Sequence, residues 1–123
     1  MTAYAYRADQ ELPSYSIGWT DSAGAVLDFS TGYTATVKVA LVSAPTTVIL
    51  TKTTNITLAA TSPNYVIDFT TAELATMETA AGTIPTGGVE CVVYAYCRRD
   101  SDSRDRVFKP GDEPRFRLHT KPV

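Results

Sequence analysis

The sequence has very few of the side chains on which enzyme and metal sites most often depend. Histidine occurs once, as His119, and cysteine twice, as Cys91 and Cys97. A Ser-His-Asp or Cys-His arrangement would have to use His119, and no G-x-S-x-G or other nucleophile motif accompanies it. One histidine with two separated cysteines is also a weak zinc ligand set. We therefore expect no catalysis and no metal site.

The two cysteines lie six residues apart, in the stretch CVVYAYC. On a strand this spacing puts both thiols on one face, about 20 Å apart. A disulfide needs Cα atoms within about 7 Å, and the spacing fits no C-x-x-C motif. We expect two buried thiols that do not pair with each other.

Long apolar runs are absent as well. No stretch reaches the about 18 apolar residues that a membrane helix needs, so we expect no membrane partner. The first residues, MTAYAYR, lack the basic start and apolar core of a signal peptide. We expect the protein to be made in a cytoplasm and kept there until it assembles or is released.

Charge is nearly balanced overall but unevenly distributed. The 11 basic and 13 acidic residues give a net charge of −2, which predicts no strong general attraction to nucleic acid or membrane. Residues 1–97 carry 3 basic and 8 acidic side chains, whereas residues 98–123 carry 8 and 5. One part of the molecule should therefore present a mixed, mildly basic surface.

Alternation of apolar and polar residues dominates the chain and predicts strands. It is clearest over Tyr33–Leu41, and Val89–Arg99 has apolar residues on both faces, as a central strand would. Further strands are predicted at 15–19, 25–29, 47–53, 56–60, 65–69, 106–109 and 115–120, with loops at 43–45, 80–88 and 110–114 and turns at 21–24, 61–64 and 100–104. These predict an all-β, immunoglobulin-like two-sheet antiparallel sandwich of seven or eight strands. We assign residues 8–120 to this domain, with Trp19 in its core and residues 1–7 as an N-terminal arm.

One stretch departs from the strand pattern. Thr70 precedes Glu73 by three residues, which is the spacing of a capping box, and Leu74 and Met77 follow at helical spacing. The pattern predicts one short helix near residues 71–78. Because so short a helix is not stable alone, we expect it to bridge two strands across an edge of the sheets.

The polar stretch CRRDSDSRDRVFKPGDEPRFRL, residues 97–118, has three closely spaced aspartates and most of the basic residues. An EF-hand loop beginning at Asp100 would need Gly at its sixth position and Glu at its twelfth, where this chain has Asp105 and Gly111. Arginines with nearby aromatic residues could also bind phosphates, but the interleaved acids would oppose that. Pairing of the charges across strands and recognition of a partner protein suit the mixture better. The candidate interface residues are Tyr4, Tyr6, Arg98, Arg99, Arg104, Arg106, Phe108, Arg115 and Arg117.

Several segments together resemble a known family. They are RADQELP (7–13), WTDSAG (19–24), DFS (28–30), YTATVKV (33–39), AEL (72–74) and RRDSDSRDRVFKPG (98–111). Their order is similar to that in the small immunoglobulin-like domains of tailed-bacteriophage virions, such as the N-terminal domain of baseplate upper proteins and short stand-alone versions in phages of actinobacteria. Residues 77–88 depart from the pattern, because the short connection before the long strand is stretched here.

The resemblance implies a structural protein of the virion, in the tail or baseplate, with no cofactor and with other virion proteins as partners. It also implies homo-oligomers within the particle and no nucleic-acid or membrane partner. The same fold on the head, as a decoration or minor capsid protein, is the alternative. A small nucleic-acid- or ligand-binding module that uses the basic 98–117 hairpin is the third possibility.

Overall fold

The alternating segments form nine strands and one helix within the part of the chain that the computed structural model describes. That part comprises residues 3–7, for which the backbone alone is described, 14–108 and 113–119. The strands are β1 (Ala3–Arg7), β2 (Ser14–Ile17), β3 (Tyr33–Leu41), β4 (Ala44–Lys52), β5 (Ile56–Leu58), β6 (Tyr65–Asp68), β7 (Val89–Arg99), β8 (Arg104–Val107) and β9 (Arg115–His119); the helix is α1 (Thr71–Ala81).

The strands form two sheets. The larger sheet has the order β1-β9-β7-β3-β4, with β8 also paired to β7, and the smaller has the order β2-β6-β5. All pairs are antiparallel except β1 with β9. One sheet thus corresponds to strands G, F, C and C′ of an immunoglobulin sandwich and the other to B, E and D. The predicted fold class is confirmed.

Strand β7 is the central strand of the larger sheet, as its two apolar faces predicted. It pairs with β3 along its length, from Cys91 to Arg99. Its other side pairs with β9 over Val89–Val92 and with β8 over Tyr96–Arg99. β8 and β9 therefore follow one another along the same edge of β7, like one strand interrupted between residues 107 and 115.

The core lies between the sheets. It is built by alternate residues of β3, β7 and β9 facing β2 and β6; fully buried members include Val37, Val39, Val93, Phe116, Leu118, Tyr65 and Ile67. Each such apolar side chain stabilises the fold by about 1.5–3 kcal/mol. Trp19 is buried as predicted and packs edge-on against Phe29, with 5.3 Å between ring centroids. Cys91 and Cys97 are buried free thiols, as expected.

The helix begins as predicted and runs three residues further. The Thr70 hydroxyl accepts from the Glu73 N–H, and the Glu73 carboxylate accepts from the Thr70 N–H. The helix continues through Ala81 and ends at Gly82, whose φ of +74° is unfavourable for other residues. It connects β6 of the smaller sheet to β7 of the larger and contacts the edge strand β4; that it bridges two strands across an edge stays a prediction. Within the described residues no helix is long and apolar enough to span a membrane.

A buried ion pair joins this helix to the larger sheet. The Lys52 side chain, 2% exposed, points inward from the end of β4, and its Nζ lies 2.8 Å from Glu73 Oε1. Nζ also donates to the Asp68 carbonyl and lies 4.7 Å from the centroid of the Phe69 ring. The ammonium therefore has both an opposite charge and a backbone acceptor, as a buried lysine requires.

The predicted strand at 25–29 is wrong. The turn at Asp21–Gly24 forms as expected, with the Gly24 N–H donating to the Asp21 carbonyl, but only an isolated bridge joins Thr20 and Val26. The reason is Asn64, which is fully buried and takes the place of a pairing strand. Its side chain accepts from the Trp19 N–H and donates to the Trp19 and Leu27 carbonyls, at 2.6–2.8 Å.

Two other predicted boundaries are also corrected. The loop at 43–45 is a turn at 42–43, and β4 already begins at Ala44. Between the pairs Leu41–Ala44 and Ala40–Val48, β4 has three residues with no counterpart in β3. This bulge interrupts the regular pairing of β4 with β3.

The segment predicted as an N-terminal arm contains β1, which extends the larger sheet. Ala3–Arg7 pairs in parallel with β9, so that Tyr4 is in register with Phe116 and Tyr6 with Leu118. The proposed boundary between arm and domain, at residues 7 and 8, stays a prediction, because residues 8–13 lie outside the described part of the chain.

Candidate protein-interaction surface

The solvent-facing side of the larger sheet forms a broad surface of the sandwich, which we call the outer face. It is formed by alternate residues of β3, β7, β8 and β9, because their neighbours in sequence point into the core. Its charged members are Lys38, Glu90, Arg98, Asp105, Arg115 and Arg117, and Tyr94, Tyr96 and Val107 lie among them. The Val107 side chain is 46% exposed.

A shallow depression of about 320 Å³ lies in this face where β3, β7 and β8 meet. Its walls are Thr34, Thr36, Lys38, Tyr96, Arg98 and Asp105. The Lys38 ammonium lies 5.5 Å from the centroid of the Tyr96 ring, within the range of a cation–π contact. Lys38 was not among the predicted site residues, although its alternation with Thr34 and Thr36 placed it on their face.

The aspartates of the 100–105 hairpin are engaged with neighbouring side chains. Arg98 donates from Nε to Asp105 Oδ1 at 3.0 Å, and Arg99 donates from Nε and Nη2 to Asp102. Asp100 accepts from the Thr34 hydroxyl at 2.7 Å. Such pairing across and along the strands is what the mixed charge predicted.

These contacts determine the electrostatics of the hairpin. The hydrogen bond from Arg99 lowers the pKa of Asp102 from its ordinary value to about 2, with smaller contributions from the Arg104 N–H and the two arginine charges. Bonding to Asp105 likewise raises the pKa of Arg98. Much of the arginine charge is thus matched locally, and within the described residues no group of three or more His, Cys, Asp or Glu side chains is arranged to hold a metal ion.

On β9 two arginines share one carboxylate. Arg115 Nη1 lies 3.7 Å from Glu90 Oε1, and Arg117 Nη2 lies 3.8 Å from Glu90 Oε2. Arg117 also donates to the Gly87 carbonyl at 3.3 Å, which ties the end of the 82–88 loop to this strand. Surface pairs of this kind stabilise the fold by no more than about 1 kcal/mol, and they leave an excess positive charge on the face.

The structure divides the predicted interface residues between different surfaces. Arg98, Arg115 and Arg117 lie on the outer face. The β8 register puts Arg106 opposite Cys97 and Arg104 opposite Arg99, on the other side of the sheet. Phe108 is partly buried and packs edge-on against Trp19, with 5.5 Å between ring centroids. Nothing is described for the side chains of Tyr4 and Tyr6.

The turn and the bounds of β8 in the 98–117 hairpin also differ from expectation. The turn occupies 100–103, and β8 starts at Arg104 rather than Arg106, because Ser103 takes a positive φ of 55° that closes the turn early. The strand also ends earlier than predicted, at Val107, because Phe108 lies outside it. Lys109 and part of the 110–114 loop lie outside the described residues.

Comparison with known proteins assigns no family: no protein-family model, curated protein or solved structure matches this chain.

Proposed function

We propose that this protein is a non-catalytic structural protein of a tailed-bacteriophage virion, located in the tail or baseplate, and that it acts by binding neighbouring virion proteins. The proposal rests on two points. Several sequence segments resemble the small immunoglobulin-like domains of tailed-phage virions, and the chain folds as an immunoglobulin-like sandwich. Because one fold can serve many functions, the function must rest on a surface rather than on the fold.

The observation that carries the proposal is the composition of the outer face. Arginine and tyrosine are enriched in the energetically important parts of protein interfaces, and here both occur together on a broad sheet surface. The charges are of both signs and partly matched, which favours a specific partner over any polyanion. A rigid sheet also holds these groups in place before binding, which reduces the entropy cost of association.

Nucleic-acid binding by the hairpin is less well supported. Arg98 and Arg99 are already paired with Asp105 and Asp102, so a phosphate would have to displace a carboxylate and would release few counterions. If the hairpin does bind nucleic acid, log Kd should change steeply with log salt, by about 0.9 for each phosphate contacted.

The test is to purify particles of the phage that encodes this chain, identify their proteins by mass spectrometry, and locate this chain by cryo-electron microscopy. Density at the tail or baseplate is the expected result. Density on the capsid lattice would replace the tail assignment with the head alternative, and absence from purified particles would overturn the virion proposal.

The contact surface can be tested in the same particles. Lys38→Glu reverses a charge in the depression of the outer face, and Arg104→Glu reverses one on the other side of the sheet, where the side chain is 80% exposed. We expect only Lys38→Glu to reduce incorporation into particles. If Arg104→Glu alone reduces it, the hairpin edge is the interface and the outer face is not.

A further inference from the structure

The fold separates the charges of this chain between its two sheets. The residues of the larger sheet and its turns whose side chains are described (33–53, 89–108 and 113–119) carry eight basic and five acidic side chains, a net charge of +3. The smaller sheet and its loops (14–32 and 54–70) carry three acidic side chains and no basic one, a net charge of −3; α1 adds Glu78 and Glu73, and Glu73 is paired with Lys52. The uneven distribution along the sequence thus becomes a difference between two sides of one small domain.

The excess charge on each side is accessible to solvent. On the outer face four cations accompany two carboxylates, a net charge of +2, and the side chains of Arg98, Arg115 and Arg117 are 41–53% exposed. On the opposite side, Asp68 lies on the outward side of β6 and is exposed, and the loop between β2 and β3 exposes Asp21 and Asp28. The hydrogen bonds from Ser30 lower the pKa of Asp28, so it stays ionised at neutral pH.

From this polarity we infer that copies of the protein associate face to back, with the outer face of one copy bound to the smaller-sheet side of the next. Opposite charges meet in that arrangement, whereas two outer faces or two smaller sheets would bring like charges together. Such an interface is heterologous, so repeated contacts close into a ring or continue as a filament. The inference rests on the proposed function, because it names a second copy of this chain as a partner of the outer face.

The test is a charge exchange measured by sedimentation velocity on purified protein in buffer of about 0.02 M salt, where charges are weakly screened. The face variant is Lys38→Glu with Val107→Glu. The back variant is Asp68→Lys with Ser16→Lys, both on the outward side of the smaller sheet. None of these four substitutions removes a described ion pair. The control, Arg104→Glu with Ser101→Glu, has the same net charge as the face variant but changes the hairpin tip.

We expect the wild type and the control to form fast-sedimenting species that disappear at about 0.5 M salt. Each exchanged variant alone should lose those species, because its outer face and its smaller-sheet side no longer carry opposite charge: the outer face changes from +2 to −1 in the face variant, and the smaller-sheet side changes from −3 to 0 in the back variant. An equimolar mixture of the two should recover association as a one-to-one complex, because the unchanged outer face of the back variant can bind the unchanged smaller-sheet side of the face variant. The native fluorescence of Trp19 confirms that each variant is folded.

A wild type that remains monomeric at low salt, or a mixture that does not recover, would overturn the inference. These outcomes are separate from those for the proposed function. Self-association without incorporation into virions would defeat only the virion role, and incorporation without self-association would defeat only the face-to-back contact.

Discussion

The buried ion pair between Lys52 and Glu73 provides the sharpest test of how this sandwich is held together. Glu73 accepts from two groups through the same oxygen: the Lys52 ammonium at 2.8 Å and the Thr70 N–H at 2.9 Å. The substitution Glu73→Ala therefore leaves a lysine whose side chain is 2% exposed without its counter-charge and removes half of the capping box.

The expected cost follows from these two losses. Removing one partner of a buried ion pair costs about 3–5 kcal/mol, because the other charge remains desolvated. The Asp68 carbonyl still accepts from Lys52, which favours the lower part of that range, and loss of the cap adds about 1 kcal/mol. We expect Glu73→Ala to lower the free energy of unfolding by about 4 kcal/mol, a large fraction of the 5–15 kcal/mol typical of a domain.

Two further variants separate charge from hydrogen bonding. Glu73→Gln keeps an acceptor for Thr70 and for Lys52 but removes the negative charge, so it should cost about 2 kcal/mol. The double variant Lys52→Met with Glu73→Gln removes the buried charge altogether. Its loss in free energy of unfolding should be smaller, by at least about 1 kcal/mol, than the summed losses of the two single variants.

Urea denaturation followed by Trp19 fluorescence measures these differences, because this is the only tryptophan and it is buried. With a slope of about 2 kcal/mol per molar urea, Glu73→Ala should lower the midpoint by about 2 M. If it lowers stability by less than about 1 kcal/mol, the ion pair is not buried as described. If the Gln and Ala variants are equally unstable, the two hydrogen bonds contribute nothing and the charge accounts for the whole loss.

Three other outcomes can be checked with the same unfolding assay or with thiol labelling. Asn64→Ala should lower the free energy of unfolding by at least about 2 kcal/mol, because it leaves the Trp19 N–H and the Leu27 carbonyl without partners, while the Trp19 carbonyl still accepts from the Leu27 N–H. The near-isosteric Asn64→Asp should also destabilise, and a stable Asp variant would show that the two donated bonds are dispensable. Gly88→Ala should lower the free energy of unfolding by at least about 2 kcal/mol, since φ is +78° and the added Cβ would lie 2.8 Å from the Leu118 carbonyl oxygen. The matched control is Gly87→Ala, because no atom lies within 4 Å of a Cβ added there. Burial raises the pKa of Cys91 to about 12 and of Cys97 to about 11. Both thiols should therefore react with a disulfide reagent at pH 8 only as fast as the protein unfolds. Rapid labelling of the native state would contradict this.

The strands and the helix start were predictable because their signals are local. Alternation along Tyr33–Leu41 and Val89–Arg99 follows directly from the strand period of two, and the Thr70–Glu73 spacing specifies the helix N-terminus without reference to the rest of the chain. The two sheets follow from the number and length of these strands.

The determinants that sequence reasoning missed depend on the packing of distant elements. Lys38 and Lys52 both occur in β-branched strands, yet one lies on the outer face and the other points into the core. The pairing register puts Lys52 on the inward side, opposite the buried Val37, and the position of α1 beside β4 supplies Glu73 as its partner there. Asn64 looked like an ordinary turn residue, and nothing near it in sequence shows that it binds backbone groups 37 and 45 positions away. Phe108 was assigned to an interface for the same reason, since its neighbour Trp19 is remote in the chain.

The adjacent residues Asn64 and Tyr65 also bear on how this chain reaches its fold. The Tyr65 hydroxyl, whose pKa burial raises, crosses the core to donate to the Tyr96 carbonyl, 31 residues away, while Asn64 joins segments up to 45 residues apart. Contacts of such separation require closure of long loops before they contribute any stability. Folding should therefore take milliseconds to seconds, as in other sandwiches of high contact order.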